Sequence, residues 1–128
     1  MRIHIVITFL AVGLSFFFDF TRLEYALLFF VFGVVLAAEI FNTAIERLAD
    51  QASPGYSRLV RTIKDMASGG VLAASLGAAG VGVCLFARWD KWADVFAWMW
   101  AHPLSIPLLA AYIALSIIFI SKFNLFRK

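Results

Sequence analysis

The chain has 128 residues, 63% of them hydrophobic and 15% charged, and its mean hydropathy of +0.92 lies far above that of a water-soluble domain. Three or four spans of about 20 residues would use most of this length, which leaves no room for a separate soluble domain. The net charge of +3 is too small and dispersed for a nucleic-acid footprint, and the single cysteine, Cys84, excludes an intrachain disulfide.

The opening Met1-Arg2-Ile3-His4 and the apolar run behind it resemble a signal peptide. The run is expected to be a retained first span, from about Ile3 to Phe18, ending where Asp19 and Arg22 meet water. Thr21-Arg22-Leu23-Glu24 then has the T-x-x-E form of a capping box, in which hydroxyl and carboxylate satisfy free amides at a helix start. A second helix is expected from near Arg22 through Ile45 and on to Ala49, because no Gly or Pro clusters until Ser53-Pro54-Gly55, a turn signal. The polar loop is thus about Gln51 to Ser57.

A third helix is expected from Arg58, polar in its first turns and apolar from Met66 to Ala87. Its Ala73-x-x-x-Gly77 and Ala78-x-x-x-Gly82 spacings suit close approach of a neighbouring helix. Between Arg88 and Pro103, Trp89, Trp92, Phe96 and Trp100 fall on one helical face and Asp90, Lys91 and Asp94 on another, the pattern of an interfacial amphipathic segment. A fourth span, about Leu104 to Ile120, completes an all-α, polytopic membrane bundle with a core over 1–87 and an addition over 88–128. In a four-span arrangement Arg2, Arg47, Arg58, Arg61, Lys64, Lys122, Arg127 and Lys128 share one side, against Arg22, Arg88 and Lys91 on the other. The richer side, with both termini, is predicted to be cytoplasmic.

Tyr25 to Ile40 is apolar or small throughout, with one exception, Glu39. An acid within a span costs a few kcal/mol even on lenient scales and therefore marks a candidate site. On a helix Glu39, Asn42, Thr43, Glu46 and Asp50 share roughly 100° of arc over about 16 Å, one polar stripe from the hydrocarbon edge into the headgroup layer. A carboxylate at Glu39's depth reaches a lipid hydroxyl, while Glu46 and Asp50 lie where a hydrated cation can be held. Lys64 and Asp65 open the next helix at the same edge, with Ser68 one turn beyond Lys64. A base, an amide, carboxylates and a lysine are what phosphoryl transfer needs, since positioning and charge neutralisation supply most of its catalysis. The bland alternatives are a solvated loop with surface pairs, an Asn42 bond between helices, and a Ser68 hydroxyl bonded to its own helix backbone. Neither a G-x-x-x-x-G-K-[ST] loop nor an H-R-D loop is present.

The run E-I-F-N-T-A-I-E-R-L-A-D, a thirteen-residue spacer and K-D-M-A-S-G-G-V-L resemble the signature of the small prokaryotic diacylglycerol kinase and undecaprenol kinase family, over about Met1 to Phe86. The resemblance implies homotrimers of three-span subunits in the bacterial inner membrane, with a composite site between subunits and Mg2+ with ATP as phosphate donor. By position it implies Glu39 as the base for the lipid hydroxyl and Glu46 as ligand of the nucleotide's magnesium. Lys64, Asp65 and Tyr56 are implied at the nucleotide, with Asn42 and Ser68 supporting the site or contacting lipid. N-T-A-I-E resembles the undecaprenol type more than the diacylglycerol type. The chain departs from the family in three ways. The usual N-terminal surface helix, whose acid shares the magnesium and would stand just ahead of Met1, is expected to be absent; Gly55-Tyr56-Ser57 replaces an acid and a histidine around the tyrosine; and Trp89 to Lys128 extends past the usual end. The expectation is a lipid kinase acting on undecaprenol or diacylglycerol, short of one metal ligand unless the natural chain starts farther upstream or Asp50 substitutes. The second reading is a catalytically impaired relative serving as a membrane assembly or regulatory subunit. A small proton-coupled transporter would explain Glu39 but not Lys64 and Asp65 beside Glu46 and Asp50.

Overall fold

The computed structural model describes residues 2–52 and 57–121, the side chain of Arg2 excepted. Five helices account for nearly all of them: α1 (Arg2–Ser15), α2 (Arg22–Ala52), α3 (Arg58–Phe86), α4 (Trp89–Ala101) and α5 (Ser105–Ser121). The all-helical expectation therefore holds. Among these helices α2 and α3 are each long and apolar enough to cross a membrane, while α4 and α5 form a pair bent by 105° at the break between them. With 31 and 29 residues, α2 and α3 reach roughly 46 and 43 Å, beyond the ~30 Å of hydrocarbon, so their ends stand in the headgroup and water layers. By contrast α1 has 14 residues and α5 has 17, roughly 21 and 25 Å.

The chain divides into two compact units, α2 with α3 (Thr21–Phe86), and α1 with the segment from Ala87 onward. In the first unit, α2 starts where the capping box predicts. The Thr21 amide donates to Glu24 Oε2 at 2.6 Å and the Glu24 amide donates to Thr21 Oγ1 at 3.3 Å, so two otherwise free donors are satisfied. The helix continues to Ala52, three residues past the expected end, and the turn signal at Ser53-Pro54-Gly55 lies outside the described residues.

Along α2 the buried positions Leu28, Val35 and Ala49 recur at multiples of seven residues, the seam of two helices packed at a shallow angle. On α3 the half-buried or buried positions Val71, Ala74, Ala78, Val81 and Leu85 follow the same three-four alternation. The expected close packing on the glycines is not found among the described residues. A Cβ added at Gly77 or Gly82 would meet no atom within 4 Å, because the seam runs through Ala74, Ala78 and Val81 instead.

In the second unit, α1 stops at Ser15 rather than Phe18. Ser15 Oγ donates to the Val12 carbonyl at 2.7 Å, and the chain tightens into i to i+3 bonds from Phe17 to Leu14 and from Phe18 to Ser15. Asp19 then takes a left-handed φ of 47°, which the short polar side chain of Asp tolerates. This turn swings Phe18 out of the helix into full burial, with its ring edge-to-face on Trp92 at 5.4 Å. Arg88 Nη1 donates to the Phe18 carbonyl at 2.8 Å, and Lys91 Nζ pairs with Asp19. Farther along, the Tyr112 hydroxyl donates to the Val6 carbonyl at 2.7 Å and ties α5 to α1.

The face expected for α4 is therefore divided. Trp92 and Lys91 are half-buried in packing and pairing, whereas Trp89, Phe96 and Trp100 remain exposed. The break after α4 follows from Pro103, which requires an extended residue before it. His102 is extended (φ −120°, ψ 91°), its amide bonds the Trp98 carbonyl, and its ring stacks on Trp98 at 4.6 Å. Ser105 restarts the helix, its hydroxyl donating to the Met99 carbonyl at 2.9 Å.

Candidate functional site

The polar stripe lies on the side of α2 that carries the seam. Glu39, Asn42, Thr43 and Glu46 are half-buried, while their neighbours Ile40, Phe41 and Leu48 are exposed. Asn42 occupies the seam position between Val35 and Ala49, where the heptad interval calls for an apolar residue. Its Nδ2 donates to Glu46 Oε1 at 2.9 Å, an i, i+4 bond along the helix. Its Oδ1 is buried and has no hydrogen-bond partner among the described residues. Leaving such an acceptor unmatched costs about 1–3 kcal/mol, so the position is poorly suited to stability alone. Next to Asn42, Thr43 Oγ1 donates to the Glu39 carbonyl at 2.9 Å. That bond occupies the hydroxyl on the backbone and leaves the stripe's carboxylates to other partners.

Across the hairpin Lys64 is half-buried and its ammonium pairs with the exposed Asp50. This pair marks the level at which the two helices face one another. Sequence inspection named both residues but not the pairing, whose signal is their equal distance, seven residues, from Ser57 at the hairpin's turn.

Asp65 and Ser68 stand apart from this group. Asp65 lies about 100° round α3 from Lys64, exposed, and pairs with Arg61 Nε at 3.8 Å. The exposed Ser68 donates its hydroxyl to the Asp65 carbonyl at 3.0 Å, the ordinary self-bond of a helical serine. The chain thus joins Asn42 to Glu46 and Lys64 to Asp50, keeps Glu39 half-buried on the same side of α2 as Glu46, and leaves Asp65 and Ser68 exposed on α3. Tyr56 lies outside the described residues.

The family model for prokaryotic diacylglycerol kinase matches residues 1–86, two thirds of the chain. The chain belongs to the prokaryotic diacylglycerol kinase family. No match was found among curated proteins or among solved structures. The matched stretch contains α1, α2, α3 and every candidate site residue; α4 and α5 lie beyond it. Membership makes the protein a member of a membrane lipid kinase family and favours the kinase reading over a non-catalytic subunit.

Kinases of this kind generally use magnesium with ATP, and the donor set here is compatible with that pairing. Among the described residues no three of His, Cys, Asp and Glu converge on a metal-sized site. Magnesium asks for less, because it keeps several waters and takes one or two carboxylates together with phosphate oxygens. Glu46 is the candidate for that role, a half-buried carboxylate of which one oxygen accepts from Asn42.

Proposed function

We propose that the protein is an integral membrane kinase that transfers the γ-phosphoryl group of ATP to the hydroxyl of a lipid alcohol, undecaprenol or diacylglycerol. The observation that carries this reading is the Asn42–Glu46 bond on the same sheltered face as Glu39, with Lys64 brought to that end of the hairpin by α3. Glu39, roughly two turns or 10 Å inward of Glu46, sits at the depth of a lipid hydroxyl. It accepts the hydroxyl proton as the alcohol oxygen bonds to the γ-phosphorus and the bond to the bridging oxygen breaks, leaving ADP. Lys64, released from Asp50, offsets phosphate charge. Glu46 would hold the nucleotide's Mg2+, whose chemistry is to neutralise charge on the phosphate oxygens.

Asp65 and Tyr56 are assigned to the nucleotide and Ser68 to the lipid side by resemblance. The open flank of α3 that carries Asp65 and Ser68 suits a composite site completed by another subunit of a homotrimer. The protein would reside in the bacterial inner membrane, with α1 and α5 as the first and last of four spans and both termini cytoplasmic. The test is transfer of labelled phosphate from ATP, with and without magnesium, to undecaprenol and to diacylglycerol by the purified protein in mixed micelles. Magnesium-dependent labelling of either lipid supports the proposal and names the acceptor; labelling of neither overturns it.

A further inference from the structure

Beyond the family-matched stretch, α4 has three distinct sides. Taking Trp92 as origin and about 100° per residue, Val95, Met99 and Trp92 occupy one sector, Phe96, Trp89 and Trp100 the next, and Asp90 and Asp94 a third. The first sector is packed, with Val95 buried and Trp92 against Phe18. In the second, Trp89 and Trp100 are 84% and 82% exposed and Phe96 is 57% exposed. The third is acidic and open, and the basic groups of this segment are turned inward, Lys91 to Asp19 and Arg88 to the Phe18 carbonyl.

We infer that α4 lies along the membrane surface, with Trp89, Phe96 and Trp100 seated in the headgroup and glycerol layer of the bilayer and Asp90 and Asp94 in water. Two observations select lipid as the occupant. First, α5 has no charged residue from Ser105 to Ser121, so it belongs in hydrocarbon, and the 105° bend sets α4 nearly across α5's axis and hence near the bilayer plane. Second, the exposed sector is two indoles and a phenyl ring, the side chains that settle at the membrane–water boundary because one end is apolar and, for Trp, the other donates a hydrogen bond. The exposed charge on α4 is acidic, so the surface it fits is zwitterionic rather than strongly anionic.

The placement of α4 does not depend on the kinase chemistry of the proposed function.

The test uses the full chain in phosphatidylcholine vesicles, with Trp92→Phe and Trp98→Phe so that Trp89 and Trp100 alone fluoresce. Lipids carrying a nitroxide at the headgroup, just below the glycerol, or near the bilayer centre report depth. The expected result is strongest quenching by the label just below the glycerol, several-fold above the central label, with weak quenching by aqueous acrylamide. Strong acrylamide quenching with none from lipid would place the stripe in water and overturn the inference. Protection from every quencher would mean that another protein surface, such as a second copy, covers it, and strongest quenching by the central label would mean a re-entrant helix; either overturns it. Should that variant fail to insert, Trp89→Ala with Trp100→Ala in the otherwise native chain must remove the shallow-quenched component and keep the emission of Trp92 and Trp98. Retention of that component would also overturn the inference.

Discussion

Lys64 reaches across the α2–α3 hairpin to pair with Asp50, so the lysine proposed for phosphate charge is held by a carboxylate. Both partners are partly solvated, so the pair contributes little to stability, of order 0.2–1 kcal/mol. Lys64→Met is expected to lower the transfer rate about 10²- to 10³-fold, the usual loss when one preorganised charge donor is removed. Asp50→Asn should change it less than tenfold, a loss near the value of a surface pair. Steady-state kinetics on both variants check this, and equal losses would show that Asp50 does more than hold the lysine at rest.

Asn42 offers a separation of stability from activity. Its buried Oδ1 lacks a partner among the described residues, so Asn42→Leu removes a cost of about 1–3 kcal/mol and restores the apolar seam. The variant is expected to be at least as resistant to unfolding in detergent as the native chain, yet slower in transfer because Glu46 loses the bond that orients it. Thermal unfolding measured beside activity decides it. A variant that is both less stable and fully active would contradict the role.

The helix and the stripe were legible because their signals are local. The capping box at Thr21 and Glu24 needs four residues, and the alignment of Glu39, Asn42 and Glu46 needs only helical geometry. The end of α1 was not legible. Phe16, Phe17 and Phe18 look like continued span, and hydropathy cannot show that Phe18 leaves the helix to meet Trp92, 74 residues onward. Lys91 likewise reads as a solvated charge on an amphipathic helix until Asp19 appears beside it. Within the site, the divergence of Asp65 from Lys64 follows from adjacent positions on a helix, whereas the Asp50 pairing required the hairpin's register.

The capping box supplies a prediction confined to the fold. Thr21→Ala leaves the Glu24 amide without its acceptor at the start of α2 and should cost about 0.5–2 kcal/mol of stability. Unfolding of the variant in mixed micelles measures it. No change in stability would mean that water replaces the hydroxyl without loss.

The Asp19–Lys91 pair gives a pH dependence with a definite sign. The hydrogen bond from Lys91, and then its charge, hold the Asp19 carboxyl below its usual 3.8, while the same bond and the charge of Asp19 raise the Lys91 ammonium above 10.5. Asp19's contribution to folding is complete above about pH 3.8 and is lost as pH falls through its lowered value; that of Lys91 is complete below 10.5 and is lost as pH rises through its raised value. The unfolding midpoint of the native chain should therefore exceed that of Asp19→Asn by a constant amount across neutral pH. The gap should close at both extremes and narrow with added salt. A gap that does not shrink as pH is taken well below 3.8 would contradict the assignment.

Glu39 is proposed to take the proton from a lipid hydroxyl on the half-buried side of α2 that it shares with Glu46. The most direct measurement is transfer of labelled phosphate by Glu39→Gln, in parallel with binding of magnesium-ATP to the same preparation. The rate should fall by about 10²- to 10⁴-fold, the usual contribution of a positioned base, with nucleotide binding retained. A Glu39→Gln protein that transfers phosphate at the native rate would contradict it.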